Sequence, residues 1–268
     1  GDVRKWAMGL MLSTGLSVCL ATPASAQVAS KWVGMIAGNT AANRYGVPTG
    51  ALIAQTSAAN AGAPMPVDSG TVTKMTAYAS VAPDTGGGTQ AWAVTLMEAG
   101  SATTVTCTIS EADTSCTNTF AEAIAANALL AVEVDPSASA PTAANISWVI
   151  ELSHASKIVT FFKTAGNLSA SNGVQNYIPL QGDGSAFPSS NVTSMSVSAI
   201  AGDLTDICMQ LNTTPGGTGS RTVSIAINNV VDTDLELLFD ADDVNVECDT
   251  ATAGQVSVTE GQRINIQV

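Results

Sequence analysis

Residues 91–110 read Ala91-Trp92-Ala93-Val94-Thr95-Leu96-Met97-Glu98-Ala99-Gly100-Ser101-Ala102-Thr103-Thr104-Val105-Thr106-Cys107-Thr108-Ile109-Ser110. Trp92, Val94 and Leu96 fall on one side of an extended chain, and Ala91, Ala93 and Thr95 on the other. Val105, Cys107 and Ile109 repeat the alternation after a small-residue turn at Ala99-Gly100. A period of two is the signature of strands with one buried face. The same alternation places Val223, Ile225 and Ile227 on one face, and likewise Leu235, Leu237 and Phe239, then Ile264, Ile266 and Val268. β-branched residues dominate these runs, as a pleated, half-buried surface favours.

Working outward, the pattern occurs twice. Lys31-Trp32-Val33 precedes Ala37-Gly38-Asn39, and Lys157-Ile158-Val159 precedes Ala165-Gly166-Asn167. Tyr45, Pro48 and Gly50 return as Tyr177, Pro179 and Gly182. Pro66 leads to Val72–Met75, and Pro188 leads to Val192–Met195. Gly86–Thr89 and Pro215–Thr218 each precede an alternating run, and Ile124–Val134 matches Val258–Val268. Matches in the same order at a nearly constant offset indicate an internal duplication. The boundary falls near Glu151–His154, giving repeats 27–152 and 153–268. The Ala-rich stretch Phe120–Leu130 has helical composition. Its repeat partner, Gln255–Ile264, reads as strand, turn, strand, so β is expected in both. The expected fold is all-β: two tandem antiparallel sandwiches of about 115–125 residues each.

Trp92–Val134 resembles a jelly-roll-like β-sandwich module of the kind that recurs in secreted bacterial proteins and virion surface proteins. The matching features are a strand, a short turn (Ala99-Gly100; Asn228-Asn229) and an apolar strand, Val105–Ile109. A Cys107-to-Cys116 hairpin, a Ser/Thr/Asn stretch and a last strand pair before Asp135–Pro141 and Trp148-Val149-Ile150 follow. The resemblance implies a fold and a surface or assembly role, not a reaction. The second repeat departs from it, with Leu237 standing where the first has Cys107.

Residues 1–26 read as a cleavable secretory signal. Arg4 and Lys5 are followed by an apolar run from Trp6 to Leu20, then Pro23 and the small-x-small site Ala24-Ser25-Ala26. Past this segment no apolar run reaches the 18 residues of a membrane span. The expected protein is exported, extracellular or at a cell or virion surface. The 268-residue chain has 9 Lys+Arg against 22 Asp+Glu, a net charge of −13. That balance argues against nucleic acid, whose phosphates need clustered cations, and against anionic membranes.

Cys107, Cys116, Cys208 and Cys248 remain after cleavage. An even count in an exported chain suggests disulfides, and four cysteines allow three pairings. One bridge per repeat, Cys107–Cys116 and Cys208–Cys248, is the expected arrangement, the first stapling two arms of a hairpin. Cys208 sits in a strand with no clear counterpart in the first repeat.

Catalytic groups are scarce. His154 is the only histidine and falls at the inferred junction, which reads as a linker. There is no G-x-S-x-G elbow, and the Gly-rich segments lack a phosphate-loop lysine. Asp240, Asp242 and Asp243, with Glu247 and Asp249, form the densest carboxylate cluster. It reads as a solvated acidic loop or as a Ca²⁺ site, since hard cations take clustered carboxylate oxygens. Trp32, Trp92, Trp148 and Tyr78 could form a glycan platform, although the alternation favours a core role for the tryptophans. Gln27–Ile36 carries Val28, Trp32, Val33 and Ile36 and reads as an apolar arm able to extend a neighbour's sheet. The leading expectation is a non-enzymatic structural protein of a surface layer, filament, appendage or virion that associates with itself. The alternative is a secreted carbohydrate-binding or adhesion module that recognises surface glycans; no cofactor is expected unless the acidic loop takes Ca²⁺.

Overall fold

Alternation in the sequence becomes alternation in burial. Along Asn145–His154 every second residue, from Ile146 through Trp148, Ile150 and Leu152 to His154, faces inward and is buried, while the intervening ones reach solvent. A computed structural model of the chain describes residues 28–38, 40–49, 55–58, 62–64, 70–84, 86, 88–154, 162–164, 177–178, 182–184, 196–197, 201–211, 214–215 and 219–268. The signal reading of residues 1–26 lies outside this set. Every element with described bounds is a β-strand.

In the first half these are β1 (Val28–Ala37), β2 (Arg44–Gly46), β3 (Ala63–Pro64), β4 (Gly70–Ala79), β5 (Ala91–Glu98), β6 (Ser101–Ser110), β7 (Ser115–Ile124), β8 (Leu129–Pro136) and β9 (Asn145–His154). They form two sheets. The front sheet runs β1-β9-β4-β7. The back sheet runs β2-β8-β5-β6, with β3 joining β2 along the edge of β8. All pairings are antiparallel. If β2 and β3 count as one strand, first pairs with eighth, second with seventh, third with sixth and fourth with fifth. That winding is a jelly roll. It buries one core, in which Trp32, Trp92 and Trp148 are fully enclosed with Ile36, Met75, Leu96, Ile109 and Ile150. Trp148 fits because its partner across the β1–β9 ladder is Gly34, where a Cβ would come within 2.5 Å of the indole. Its indole N–H donates to the carbonyl of Pro48 at 2.9 Å, which satisfies a buried polar group.

The second half contains β10 (Phe162–Thr164), β11 (Tyr177–Ile178), β12 (Gly182–Gly184), β13 (Ser196–Val197), β14 (Gly202–Asp203), β15 (Asp206–Gln210), β16 (Arg221–Ile227), β17 (Val230–Phe239), β18 (Val246–Thr250), β19 (Ser257–Val258) and β20 (Arg263–Gln267). One sheet runs β11-β20-β16-β17, with β13 also on β20. This repeats the back sheet strand for strand: Tyr177 pairs with Gln267 on β20 as Tyr45 pairs with Glu133 on β8. The β15–β18 pair answers β4–β7. The β14–β19 pair, with Gly202 opposite Val258, answers the far end of the β4–β7 ladder, with Gly70 opposite Ile124, and only the parallel β10–β12 pair has no counterpart among the described residues. The core of this half holds Val223, Ile225, Leu235, Leu237, Phe239, Val256 and Ile264.

Several expectations change. Strand β9 runs through His154, two residues beyond the expected boundary, so His154 is a buried strand residue rather than a linker. Strand β15 gives Cys208 a counterpart after all. Cys208 lies opposite Cys248 as Ala77 lies opposite Cys116. The match of Val72–Met75 with Val192–Met195 falls on residues outside the described set. Phe120–Leu130 is strand, turn and strand, as the repeat argument requires.

The supposed hairpin around Cys107 and Cys116 is not a hairpin. Strand β6 pairs with β5 in the back sheet, and β7 pairs with β4 in the front sheet. The chain crosses the sandwich between them. The true hairpins turn at Ala99-Gly100 and Asn228-Asn229. Both residues of each have positive φ: 48° and 81° in the first, 50° and 70° in the second. Two-residue loops of this hand match the twist of the flanking strands.

Candidate functional site

The structure joins Cys107 to Cys116 and Cys208 to Cys248. The first bridge ties the edge strand of one sheet to the edge strand of the other. The second links facing residues of neighbouring strands, with Cα atoms 4.2 Å apart. Two disulfides fit a chain that matures in an oxidising compartment. Among the described residues, no helix is long and apolar enough to cross a membrane.

The proposed arm is the edge strand of its own sandwich. Strand β1 pairs with β9 over its whole length, and Trp32 and Ile36 are sunk in the core. Val33 and Met35 point out instead, 56% and 36% exposed. Val28 supplies a ladder position opposite His154. The tryptophan platform is likewise overturned: Trp32, Trp92 and Trp148 are all buried, and only Tyr78, 49% exposed, offers a ring to solvent.

Ladder register places these outward residues in rows. Met35, Ser147, Tyr78 and Ser115 align across the front sheet, then Val33, Val149, Thr76 and Thr117, then Lys31, Glu151, Lys74 and Thr119. The result is an apolar band beside hydroxyls, with a single charged row at one end. Lys31 sits 3.4 Å from Glu151. Lys74 flanks Glu151 from the other side, so the row carries one excess positive charge.

Sequence reasoning missed a cluster on the outside of the back sheet. Tyr45 donates its hydroxyl to Glu133 Oε1 at 2.6 Å, and Asn43 Nδ2 donates to the same oxygen at 2.7 Å. The hydrogen bond to Glu133 leads in raising the Tyr45 pKa, with desolvation and the carboxylate's charge adding to it. The Asp135 carboxyl is likewise raised from its ordinary value, through burial first and Glu133 second. The signal was available: Tyr45 opens a repeated motif, and Glu133 and Asp135 alternate with Val132 and Val134.

The acidic residues of the second half are spread over several contacts, with Glu247 and Asp243 neighbouring one another. Asp240, Asp242 and Asp243 lie in the β17–β18 connection, which passes between sheets and is not a hairpin loop. Asp243 caps the amide of Asn245 at 3.1 Å. Asp249 accepts from the amide of Glu236, and Asp203 from the hydroxyl of Ser257. Among the described residues, no group of three or more His, Cys, Asp or Glu is placed to hold a metal. Glu247 titrates above its ordinary value, through desolvation and then the neighbouring Asp243. Gly86 and Gly88 close a turn on the Asp84 carboxylate, in keeping with the turn reading of that segment.

A shallow depression at one end of the first sandwich is lined by Ala37, Gly38, Ser80, Ala143, Ala144 and Asn145. None of these side chains titrates. Comparison with family models, curated proteins and solved structures finds no match to this chain.

Proposed function

We propose that the chain is an exported structural protein that assembles with itself, built from two jelly-roll-like units that arose by duplication. The observation that carries this reading is the band of Val33, Met35, Val149 and Tyr78 on the outward face of the front sheet. Contiguous apolar surface of this kind marks interaction sites. The correspondence of strand pairings between the halves supports the duplication. The disulfides and the Arg4-to-Ala26 signature support export to an extracellular, cell-surface or virion setting.

Light scattering and negative-stain microscopy of the oxidised chain, with and without Ca²⁺, test the reading. Concentration-dependent oligomers, rings or filaments are expected in both conditions. A monomer at high concentration in both would overturn it. Growth only with Ca²⁺ would transfer the weight to the acidic β17–β18 connection.

One observation favours a second reading, a surface glycan-binding or adhesion module. The Asn43–Tyr45–Glu133 cluster puts an aromatic ring beside an amide and a carboxylate, a donor and acceptor set suited to sugar hydroxyls. Binding to a glycan array that Tyr45→Ala abolishes would support this module. An array without signal would remove it.

A further inference from the structure

The apolar band of the front sheet meets its charged row at Lys31, Glu151 and Lys74, and these are the only charged side chains at its outward positions. A face with net positive charge is unusual on a chain of net charge −13. Opposite charge is concentrated elsewhere. Between residues 201 and 268 there are eleven carboxylates and two arginines. Strand β17 forms the edge of its sheet, and Asp234 and Glu236 alternate with buried Leu235 and Leu237 along it. Leu238, 56% exposed, continues the same outward row. Val230 and Val231 at the start of the strand are also exposed, 69% and 39%. Each surface therefore joins apolar side chains to a charge, and the charges are of opposite sign.

We propose that the partner of the front sheet is a second copy of this chain, which docks through the outward row of β17. The proposal rests on the self-assembly reading and specifies its contact. The two surfaces are different patches of one molecule, so the contact is heterologous. Contacts of this type propagate into open chains or close into rings, whereas one patch meeting itself stops at a dimer. Unlike charges orient the encounter and suppress pairing of like faces. Leu238 and the Val33–Tyr78 band then lose water together.

Two variants test the proposal. Val33→Glu with Lys74→Glu breaks the first surface, and Asp234→Lys with Leu238→Lys breaks the second. All four side chains point outward, so the emission of the buried tryptophans should be unchanged in the first variant and the backbone circular dichroism melt unchanged in the second, which checks folding of the half that each alters. Each variant alone should remain monomeric where the wild-type chain assembles. An equimolar mixture should form dimers and stop, because each pair retains one intact contact. Wild-type assembly should weaken about tenfold or more between about 0.01 M and about 1 M salt, as the Debye length falls from about 30 Å to about 3 Å. If both variants assemble like the wild type, this contact is wrong and the assembly reading stands. Variants that fail alone and also fail when mixed would overturn the heterologous arrangement. A monomeric wild-type chain would overturn this contact and the assembly reading together.

Discussion

The two halves place their disulfides differently around one shared position. Cys116 lies on β7, which pairs with β4, and Cys248 lies on β18, which pairs with β15. In the first half Cys116 bonds across the sandwich to Cys107 on β6. In the second, Leu237 fills the position of Cys107, since Val223–Leu237 matches Val94–Cys107 in the hairpin ladders. Cys248 bonds instead to Cys208, which stands where the first half has Ala77. Strand length gives the physical reason. Strands β4 and β7 are 10 residues each, whereas β15 and β18 are 5 each. A short ladder has few hydrogen bonds and little side-chain contact to hold it, so a covalent tie within the pair stabilises what pairing alone does poorly. The long ladder needs no such tie, and its cysteine is free to join the two sheets.

The comparison breaks most easily in the first core. Trp148→Ala removes a large buried ring and the donor to Pro48. Core aromatic-to-alanine changes cost about 3–5 kcal/mol. The first half should lose that much while the second keeps its stability. Tryptophan emission after removal of residues 1–26 reports only the first half, where Trp32, Trp92 and Trp148 lie. Denaturant melts read by that emission should move to lower concentration. Backbone circular dichroism should then split into two transitions. A single shared transition would mean that the halves unfold as one unit.

Exchanging the bridges sharpens the comparison. The closed loops span 9 and 40 residues. Chain-entropy arithmetic gives about 2.5 kcal/mol for the shorter and about 4 kcal/mol for the longer. Cys208→Ser with Cys248→Ser should therefore cost more than Cys107→Ser with Cys116→Ser. A more specific test is Ala77→Cys with Cys107→Leu, which gives the first half the arrangement of the second. Cys116 should then bond to position 77, detectable by peptide mapping of the unreduced protein. Free thiols in that variant would show that facing register alone does not direct the bond.

Much of this fold is legible in the sequence because alternation is local. Trp92–Leu96, Val105–Ile109 and Leu235–Phe239 each declare a buried face within a few residues, and one bridge per half is one of the three pairings that four cysteines allow. What is not legible is which sheet receives the next strand. The stretch from Cys107 to Cys116 would read the same whether it folded back as a hairpin or crossed the sandwich. Period-two patterns also slide against one another without penalty, so Val72–Met75 matches Val192–Met195 as well as any β run would. Burial direction misled at β1. Trp32, Val33 and Ile36 look like one apolar arm, yet alternation sends Trp32 and Ile36 inward and Val33 outward. The Tyr45–Glu133 contact joins residues 88 apart, and only the back-sheet register makes them neighbours.

The smallest effect concerns the two hairpin turns. Both require positive φ at both loop residues, and the second half meets the first position with Asn228 while the first half uses Ala99. An alanine in the left-handed region brings Cβ toward the following carbonyl at a cost of about 1–2 kcal/mol, which asparagine partly avoids. Gly100 already suits the second position, and Asn-Gly is the favoured pair for a loop of this type. Ala99→Asn should thus stabilise the first half by about 0.5–1 kcal/mol, without touching its core. Fluorescence-detected denaturant melts should shift to higher midpoint with an unchanged slope. An unchanged midpoint would place the strain elsewhere in the loop. A lower one would mean that the amide of Ala99, which donates to the carbonyl of Leu129 at 2.8 Å, depends on the present turn geometry.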